Sequence, residues 1–177
     1  LRGLDELVGE LLFEARLEHV GRRLQQERVD APEWLQDQLR VISRDAQGSG
    51  ITCEVVECVP PQVQLHPHYM ARATLNLLRN ALAHARSRVR LQLQRDGDHW
   101  QLRVCDDGPG IAAADRERVF QPFTRLDLSR QRTTGGVGLG LAMVARIVAC
   151  HHGSVRVEDS ALGGASFVMR WPGAALH

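Results

Sequence analysis

The sequence predicts an α/β fold in which a mixed, mostly antiparallel sheet packs against helices. Three kinds of pattern support this prediction. Apolar residues recur at helical spacing in several separate segments, short alternating segments bounded by Gly, Pro and Asp are typical of strands, and most neighbouring strands are joined by short turns. The chain has 177 residues, of which 44% are hydrophobic, enough for one compact domain with an appendage or for two small domains.

The composition excludes several classes of function. A net charge of +1 gives no indication of a polycation that binds nucleic acid or membranes. All 22 basic residues are arginine, so the lysine-dependent phosphate sites of P-loop proteins and protein kinases are excluded, as is Schiff-base chemistry. No apolar run approaches the roughly 20 residues that span a bilayer. The four cysteines form no C-x-x-C pair and are expected to be buried, reduced thiols.

The amino-terminal third predicts two helices followed by two short strands. Apolar side chains at helical spacing predict a helix over residues 4–24. Asp30 as the N-cap and Pro32 at the first helical position start a second helix that runs to about Ala46. Two strands, on either side of a Pro-Pro break, are expected at residues 51–57 and 62–65.

The rest of the chain predicts two more helices and two hairpins. Residues 67–85 are expected to form a helix. Asp96-Gly97-Asp98 is a hairpin turn, because Gly and Asp readily adopt the backbone angles that such turns need. The remaining elements are, in order, strands 88–95 and 99–105, a loop-rich segment 106–140 with one short helical stretch at 114–119, a helix at 141–150, and a final hairpin of strands 154–158 and 165–170.

Three polar segments stand out, and each alone is a weak signal. Asn76 and Asn80 lie one turn apart on a helix, and an Asn oxygen is a suitable Mg²⁺ ligand, although a structural hydrogen bond explains such a pair equally simply. Residues 106–110, Asp-Asp-Gly-Pro-Gly, follow a strand and form either a tight turn or a carboxylate beside glycines that a flat ligand can approach. Four glycines in residues 135–140 precede a helix and can form a backbone-amide cradle for phosphates.

In this order, the segments resemble the catalytic, ATP-binding domain of bacterial sensor histidine kinases, from the superfamily that also contains gyrase, Hsp90 and MutL. The matching segments are residues 76–80 for the N box, 106–110 for D-x-G-x-G, 120–123 for the F box and 136–141 for G-x-G-L-G-L. The resemblance covers about residues 62–172. It implies a Bergerat-type ATP-binding fold, which is a two-layer sandwich of the sheet and the helices.

A helical stub precedes the domain that carries these segments. Residues 7–17 are similar to the end of the second helix of the dimerisation and phosphotransfer domain of such kinases. We therefore expect residues 1–28 to be the end of that helix and residues 29–177 to be the ATP-binding catalytic domain. Because the sequence begins at Leu1 rather than at a methionine, we expect a fragment of a longer chain. The resemblance implies that this fragment is a cytoplasmic domain of a bacterial inner-membrane protein.

The resemblance implies a site for ATP and Mg²⁺. Asn80 would hold Mg²⁺ against the phosphates and is the implied catalytic residue, Asp106 would accept a hydrogen bond from the adenine amino group, and residues 123–135 would form a mobile lid. Because lysine is absent, the cations available for the phosphates are Arg79, Arg130 and Arg132. The implied ATP-binding residues are Asn76, Arg79, Asn80, Asp106, Gly108, Gly110, Ile111, Arg130, Arg132, Thr134, Gly136, Val137, Gly138, Leu139 and Gly140.

The same resemblance implies transfer of the ATP γ-phosphate to a histidine outside this chain. No histidine here lies in the phosphoacceptor box of His, an acidic residue, Arg and Thr or Ser-Pro. The implied partners are a phosphoacceptor helical domain of the same protein, a cognate response regulator and a second copy of the protein in a homodimer, with no nucleic acid.

Two alternative functions remain open at this point. One is a slow ATPase of the Hsp90 or MutL kind, but those enzymes carry a glutamate one helical turn before the metal-binding asparagine. Here that position is Asn76, which cannot take a proton from water. The other alternative is a degenerate nucleotide-sensing interaction module, and the presence of both Asn80 and Asp106 argues against it.

Overall fold

The computed structural model describes residues 8–9, 11–13, 15–17, 24–58, 61–124 and 138–173. In the amino-terminal stub, residues 8–9, 11–13 and 15–17 are helical, whereas residues 24–26 have no regular structure. The regular elements that follow are β1 (Glu27–Asp30), α1 (Ala31–Asp45), β2 (Thr52–Cys58), β3 (Gln62–Leu65), α2 (Pro67–His84), β4 (Arg88–Asp96), β5 (His99–Asp106), α3 (Gly140–Cys150), β6 (Ser154–Asp159) and β7 (Ala165–Pro172). None of the helices in these described segments is long and apolar enough to cross a lipid bilayer.

Five strands form one mixed sheet in the order β2-β4-β5-β7-β6. The edge strand β2 is parallel to β4, and every other neighbouring pair in this sheet is antiparallel. The two remaining strands, β1 and β3, form a separate antiparallel pair. This topology places the end of β5 beside the start of β7, with Cys105 opposite Ser166.

Apolar residues alternate along the strands and pack under the helices on one face of the sheet. Leu91, Leu102 and Phe167 are representative, since each is at most 1% exposed. The opposite face carries long polar side chains linked across strands, including Gln94 Nε2 to Gln101 Oε1 at 2.7 Å. The molecule is therefore the two-layer sandwich that the sequence predicts, with the helices held on a single side.

Most predicted elements are confirmed, and the differences have local causes. Asp30 caps α1 by accepting a hydrogen bond from the Glu33 N–H at 2.8 Å, although that helix begins at Ala31, one residue before Pro32. Strand β1 was not predicted, because its sequence Glu-Arg-Val-Asp is mostly exposed and shows little apolar alternation. It spans the predicted domain boundary.

Two further predictions were wrong. Instead of one short helical stretch at 114–119, the chain forms two separate 3₁₀ turns, Ala113–Asp115 and Arg118–Phe120. The three cysteines whose side chains are described are free thiols but are half-buried rather than buried.

A buried histidine links α3 to the start of α2. His151 is fully buried, its Nδ1 lies 2.8 Å from the Ile147 carbonyl oxygen, and its Nε2 accepts a hydrogen bond from the His66 N–H at 3.0 Å. These two contacts require the neutral tautomer that is protonated on Nδ1. Burial lowers the pKa of His151; the hydrogen bond to Ile147 opposes that shift, while the neighbouring His66 and His152 add to it.

This arrangement predicts that stability falls in mild acid. The folded protein binds fewer protons at His151 than the unfolded chain, whose histidine titrates near 6.5, so the contribution is complete above that pH and is lost as the pH falls through and below it. The His151 contribution to the slope is at most about 1.4 kcal/mol per pH unit. Urea unfolding between pH 5.5 and 7.5 measures it. His151→Gln should flatten the profile, whereas His152→Asn, at the exposed neighbour, should not.

Candidate functional site

Asp106 occupies the last position of β5, where its carboxylate is held by backbone N–H groups. The side chain is 2% exposed, and Oδ1 accepts hydrogen bonds from Gly108 N–H at 2.8 Å and Ala165 N–H at 3.3 Å. Burial raises the pKa of Asp106, and these two N–H groups together with His84 oppose that rise. Oδ2 forms no hydrogen bond within the described part of the chain. One oxygen of a fixed, buried acid therefore remains available as an acceptor.

Glycines let three backbone segments meet around this carboxylate. A Cβ on Gly108 would lie 2.5 Å from the carbonyl oxygen of His84, at the end of α2. A Cβ on Gly164 would lie 2.3 Å from Asp106 Oδ1 and 2.5 Å from Gly108 N. Gly110 adopts a positive φ of 75°, which glycine accommodates without strain. The predicted residue Gly108 thus lies directly beside Asp106, and the predicted residue Gly110 lies beside Gly164.

The sequence interpretation missed Gly164 and Ala165, which complete the setting of Asp106. They stand 58 and 59 positions further along the chain and meet Asp106 because β7 pairs with β5. The available signal was the Gly163-Gly164 pair before a strand. A tight turn explains such a pair equally well, and Gly163 does have the positive φ, 95°, of a turn residue.

The adjacent Asp107 has the opposite environment. Its Oδ1 accepts a hydrogen bond from the Arg86 N–H at 2.8 Å, and its Oδ2 accepts one from the Ser87 hydroxyl at 2.6 Å. Burial alone would raise the pKa of Asp107, but hydrogen bonds from Ser87 and from neighbouring backbone N–H groups outweigh it and hold the pKa well below its usual range. Asp107 anchors the turn between α2 and β4 with both of its oxygens. Of the two consecutive acids, only Asp106 keeps an oxygen that forms no hydrogen bond within the described part of the chain.

Asn76 and Asn80 lie on α2 as predicted, one turn apart, and both are half-buried. The Asn76 amide donates to the Gly140 carbonyl at 3.3 Å, which ties α2 to the first residue of α3. Within the described part of the chain, no side chain caps the amino end of α3 at Leu139. The N–H groups of its first turn are therefore available to an anion beside Asn76.

Phe123, the first residue of the predicted lid, is held against Gly138, three residues beyond the lid's predicted end. The Phe123 N–H donates to the Gly138 carbonyl at 2.9 Å, and Gly138 has a positive φ of 81°. A Cβ on Gly138 would come within 3.1 Å of the Phe123 backbone. Residues 125–135 of the predicted lid lie outside the described residues, and with them the predicted site residues Arg130, Arg132 and Thr134. The predicted site residues Gly136 and Val137, which follow the lid, lie outside the described residues as well.

Three further predicted residues have defined positions. Arg79 donates from Nε to Asp45 Oδ2 at 3.0 Å, in an exposed ion pair between α2 and α1. Ile111 packs half-buried against the core, and Leu139 is 7% exposed. The structure thus brings the Asp106 group and the asparagine face of α2 together at the end of the sheet, while Arg79 is directed toward α1.

Comparison with known proteins assigns the class of this domain. The family described as "Histidine kinase-, DNA gyrase B-, and HSP90-like ATPase" matches residues 65–175. Sensor protein RstB of Escherichia coli (strain K12) is 41% identical over 174 residues, which are 96% of this chain and 39% of RstB. Sensor histidine kinase CpxA of the same strain is 41% identical over 107 residues, 60% of this chain and 23% of CpxA.

Solved structures agree with this assignment. Mycobacterial sensor histidine kinase MprB superposes with a TM-score of 0.69 at 34% identity, covering 84% of this chain and 98% of MprB. Full-length ShkA in complex with AMPPNP gives a TM-score of 0.81 at 30% identity over 95% of this chain and 35% of ShkA.

The chain belongs to the histidine kinase-, DNA gyrase B- and HSP90-like ATPase family and contains the ATP-binding catalytic domain of a sensor histidine kinase. Residues 125–132 and 162–165 additionally resemble RstB-type kinases. The chain spans less than half the length of RstB and of CpxA.

The close approach at Gly164 generates a prediction. Gly164→Ala should displace the Asp106 carboxylate, because the added methyl group meets an acid oxygen and two backbone atoms that cannot all retreat. We expect a loss of about 1–3 kcal/mol in stability and weaker ATP binding, measured by urea unfolding and calorimetry. Gly9→Ala is the matched control, since a Cβ there meets nothing within 4 Å. Unchanged binding by Gly164→Ala would show that the Asp106 setting tolerates displacement.

Proposed function

We propose that this domain binds Mg-ATP and presents the γ-phosphate to a histidine on a phosphoacceptor helical domain of the same protein. From there the phosphoryl group would pass to a cognate response regulator. The observation that carries the proposal is the setting of Asp106, a buried carboxylate with one oxygen fixed by two N–H groups and the other available. A carboxylate in this state is a strong acceptor for the exocyclic amino group of adenine.

The glycines around Asp106 support a flat ligand at this position. Gly108 and Gly110 carry no side chain in the loop after β5, so a planar base can approach the backbone at these two positions. Gly108 also packs against the carboxyl end of α2. A base bound at Asp106 therefore lies at the end of the helix that carries the asparagine pair.

The phosphates then fit along α2 toward its amino end. Asn80 is one turn from the His84 end of the helix, Asn76 is one turn further, and the uncapped amino end of α3 lies beside Asn76. N–H groups at a helix start favour anions. This order of groups suits a nucleotide whose base lies at Asp106 and whose phosphates extend along α2 past Asn76.

The residues present fit a magnesium ion that arrives with the nucleotide. Among the described residues, no group of three or more His, Cys, Asp or Glu side chains could hold a metal alone. Mg²⁺ commonly binds through phosphates and water with one or two protein oxygens, and Asn80 offers an amide oxygen on the phosphate side of α2. When bound, the ion would neutralise charge on the phosphate oxygens.

Transfer is favoured over hydrolysis because Asn76 cannot act as a base. Its amide nitrogen is engaged with Gly140, and its remaining oxygen cannot take a proton from water. In the proposed transfer, the bond between the γ-phosphorus and its bridging oxygen breaks, and ADP leaves with the electron pair. A bond forms between phosphorus and the unprotonated nitrogen of the imidazole, and the proton on the other ring nitrogen passes to the acidic residue of the phosphoacceptor box.

The amino-terminal helix supports the proposed homodimer of the full protein. Val8, Leu11 and Leu12 are 48%, 48% and 56% exposed, so this helix has an apolar face without cover in the described residues. Helices of a dimerisation bundle would bury such a face. We further propose that the domain is the cytoplasmic part of a bacterial inner-membrane sensor.

Asn80→Ala should weaken Mg-ATP binding far more than binding of metal-free ATP. The lost amide oxygen serves the ion rather than the nucleotide, and Mg²⁺ tolerates incomplete octahedral coordination poorly. Calorimetric titrations with magnesium and with EDTA measure the two affinities on the same protein, and thermal melting verifies the fold. Equal losses under both conditions would assign Asn80 a structural role.

Phosphoryl transfer in trans tests the proposed function directly. We expect the chain to bind labelled ATP without labelling itself, and to give an acid-labile label on the phosphoacceptor domain of the same protein supplied as a separate polypeptide. Hydrolysis should stay slow. Asp106→Asn should weaken ATP binding about 10- to 150-fold and lower labelling accordingly at subsaturating ATP while keeping the fold, because a lost charge-assisted hydrogen bond costs about 1.5–3 kcal/mol in binding.

Each other outcome of this assay contradicts the proposal in a specific way. Acid-labile label on the chain alone would identify a phosphoacceptor within it. Rapid hydrolysis without a partner would identify an ATPase. Tight ATP binding with no transfer to the supplied domain would identify a nucleotide-sensing module.

A further inference from the structure

Arg116 joins two segments of the chain that meet beside Asp106. It lies between the two 3₁₀ turns that follow the loop after β5, and its side chain is 27% exposed. Its Nε donates a hydrogen bond to the Ile111 carbonyl oxygen at 3.1 Å, and its Nη2 lies 2.5 Å from Asp159 Oδ1 at the end of β6. One guanidinium thus contacts both the loop after β5 and the hairpin of β6 and β7.

These two segments supply both of the N–H groups that hold the Asp106 carboxylate. Ile111 belongs to the loop that contains Gly108, whose N–H binds Asp106 Oδ1. Asp159 pairs directly with Ala165 in the register of β6 and β7, and the Ala165 N–H binds the same oxygen. The guanidinium therefore closes a ring of contacts that begins and ends at this carboxylate.

The turn between β6 and β7 transmits the contact over a short path. Ser160 in this turn is 8% exposed, its N–H donates to the Gly164 carbonyl oxygen at 2.9 Å, and its Oγ accepts a hydrogen bond from the Leu162 N–H at 3.1 Å. The backbone between Asp159 and Ala165 is thus held by its own hydrogen bonds. A displacement of Asp159 consequently moves the Ala165 N–H, because the turn has little freedom to absorb it.

The ion pair of Arg116 lies at the surface, so its main effect is on position rather than on stability. The Asp159 side chain is 86% exposed, and exposed ion pairs contribute little to stability. The neighbouring Arg118 provides a contrast, since its Nη1 lies 2.8 Å from Asp115 Oδ1, three residues earlier in the same segment. That pair joins no two segments, whereas the Arg116 pair does.

We propose that Arg116 is a positioning residue for the recognition of adenine by Asp106. By holding the loop after β5 against the hairpin of β6 and β7, it keeps the Gly108 and Ala165 N–H groups directed at Oδ1. The other oxygen, Oδ2, then has one fixed direction. This inference rests on the proposed function, because it takes Oδ2 as the acceptor for the amino group of adenine. Without Arg116 the two donors separate, and the carboxylate loses its fixed orientation.

Calorimetric titrations with two magnesium-bound nucleotides test the inference. Arg116→Gln should weaken ATP binding about three- to tenfold, which is part of the loss expected for the whole hydrogen bond. Purine riboside triphosphate lacks the exocyclic amino group, so Arg116→Gln should bind this analogue within about twofold of wild type. Arg116→Lys keeps the charge without the planar fork and should restore only part of the ATP affinity.

Arg118→Gln is the matched control for these titrations. It removes an arginine from the same segment, and it should bind both nucleotides as wild type does. Thermal melting verifies the fold, and every variant should melt within about 4 °C of wild type because the pairs are exposed.

The pH profile of ATP binding separates positioning from a simple effect of charge. Burial raises the pKa of Asp106, the two backbone N–H groups and His84 oppose that rise, and Asp107 adds to it. When the donors separate, the pKa rises further, and the acceptor is lost at a higher pH. Asp159→Asn should therefore move the acid limb of ATP binding upward, whereas the loss of a nearby negative charge alone would move it downward. Asp115→Asn, which removes an acid from the neighbouring pair, should leave the limb in place.

The backbone amide resonances of Gly108 and Ala165 provide a readout that requires no nucleotide. Arg116→Gln and Asp159→Asn should each move both resonances, and Arg118→Gln should move neither. The double variant should move them no further than Arg116→Gln does, because the two residues act through one contact.

Three outcomes would overturn the inference. These are amide resonances that stay in place in Arg116→Gln and Asp159→Asn, an equal loss of affinity for ATP and for the analogue, and an acid limb that moves downward in Asp159→Asn. A wild-type chain that binds no ATP, or that binds ATP and the analogue equally, contradicts the proposed function instead. The amide resonances then still decide whether Arg116 positions the carboxylate.

Discussion

The hydrogen bonds of Asp106 Oδ1 determine how the end of the sheet is built. A buried carboxylate is costly unless donors surround it, and here Gly108 and Ala165 supply two backbone N–H groups. Both donors reach the acid only because no Cβ stands in the way at Gly108 or Gly164. These contacts hold the start of β7 beside the end of β5, and Gly108 lets the loop after β5 pack against the end of α2. The second oxygen of the carboxylate forms no hydrogen bond within the described part of the chain.

The second organising element is the pairing of α2 with α3. The Asn76 amide binds the carbonyl of Gly140 at the start of α3, and the His66 N–H binds His151 just after its end. The attachment points are 10 residues apart at α2 and 11 residues apart at α3, so the helices run antiparallel and the spans between the attachment points match. Because both ends of α3 are attached to α2 or to the residue just before it, the amino end of α3 cannot slide away from the asparagine face. The N–H groups of the first turn of α3 and the asparagines of α2 thus keep fixed positions relative to each other.

Local sequence chemistry accounts for most of the fold. Asp30 and the Asp96-Gly97-Asp98 turn were predictable because a cap and a tight turn depend on neighbouring residues alone. Strand β1 was not, since its pairing with β3 depends on residues more than 30 positions away. The same limit applies to the site. Asp106 follows from a recognisable motif, whereas the contribution of Gly164 depends on the pairing of β7 with β5.

The two consecutive acids of the 106–110 segment have different environments, which the sequence motif alone does not specify. Asp106 and Asp107 are identical in sequence, yet their pKa values move in opposite directions, one raised chiefly by burial and the other held low by hydrogen bonds from the Ser87 region. An acid whose oxygens are all engaged can only support the backbone. An acid with one engaged and one available oxygen can bind a ligand donor, and burial makes that oxygen more basic than a solvated one. The division arises from the alternation of a strand end, which turns Asp106 inward under β7 and leaves Asp107 facing the turn after α2. The direction of each side chain at the strand end therefore decides that Asp106, and not Asp107, keeps an oxygen available to a ligand.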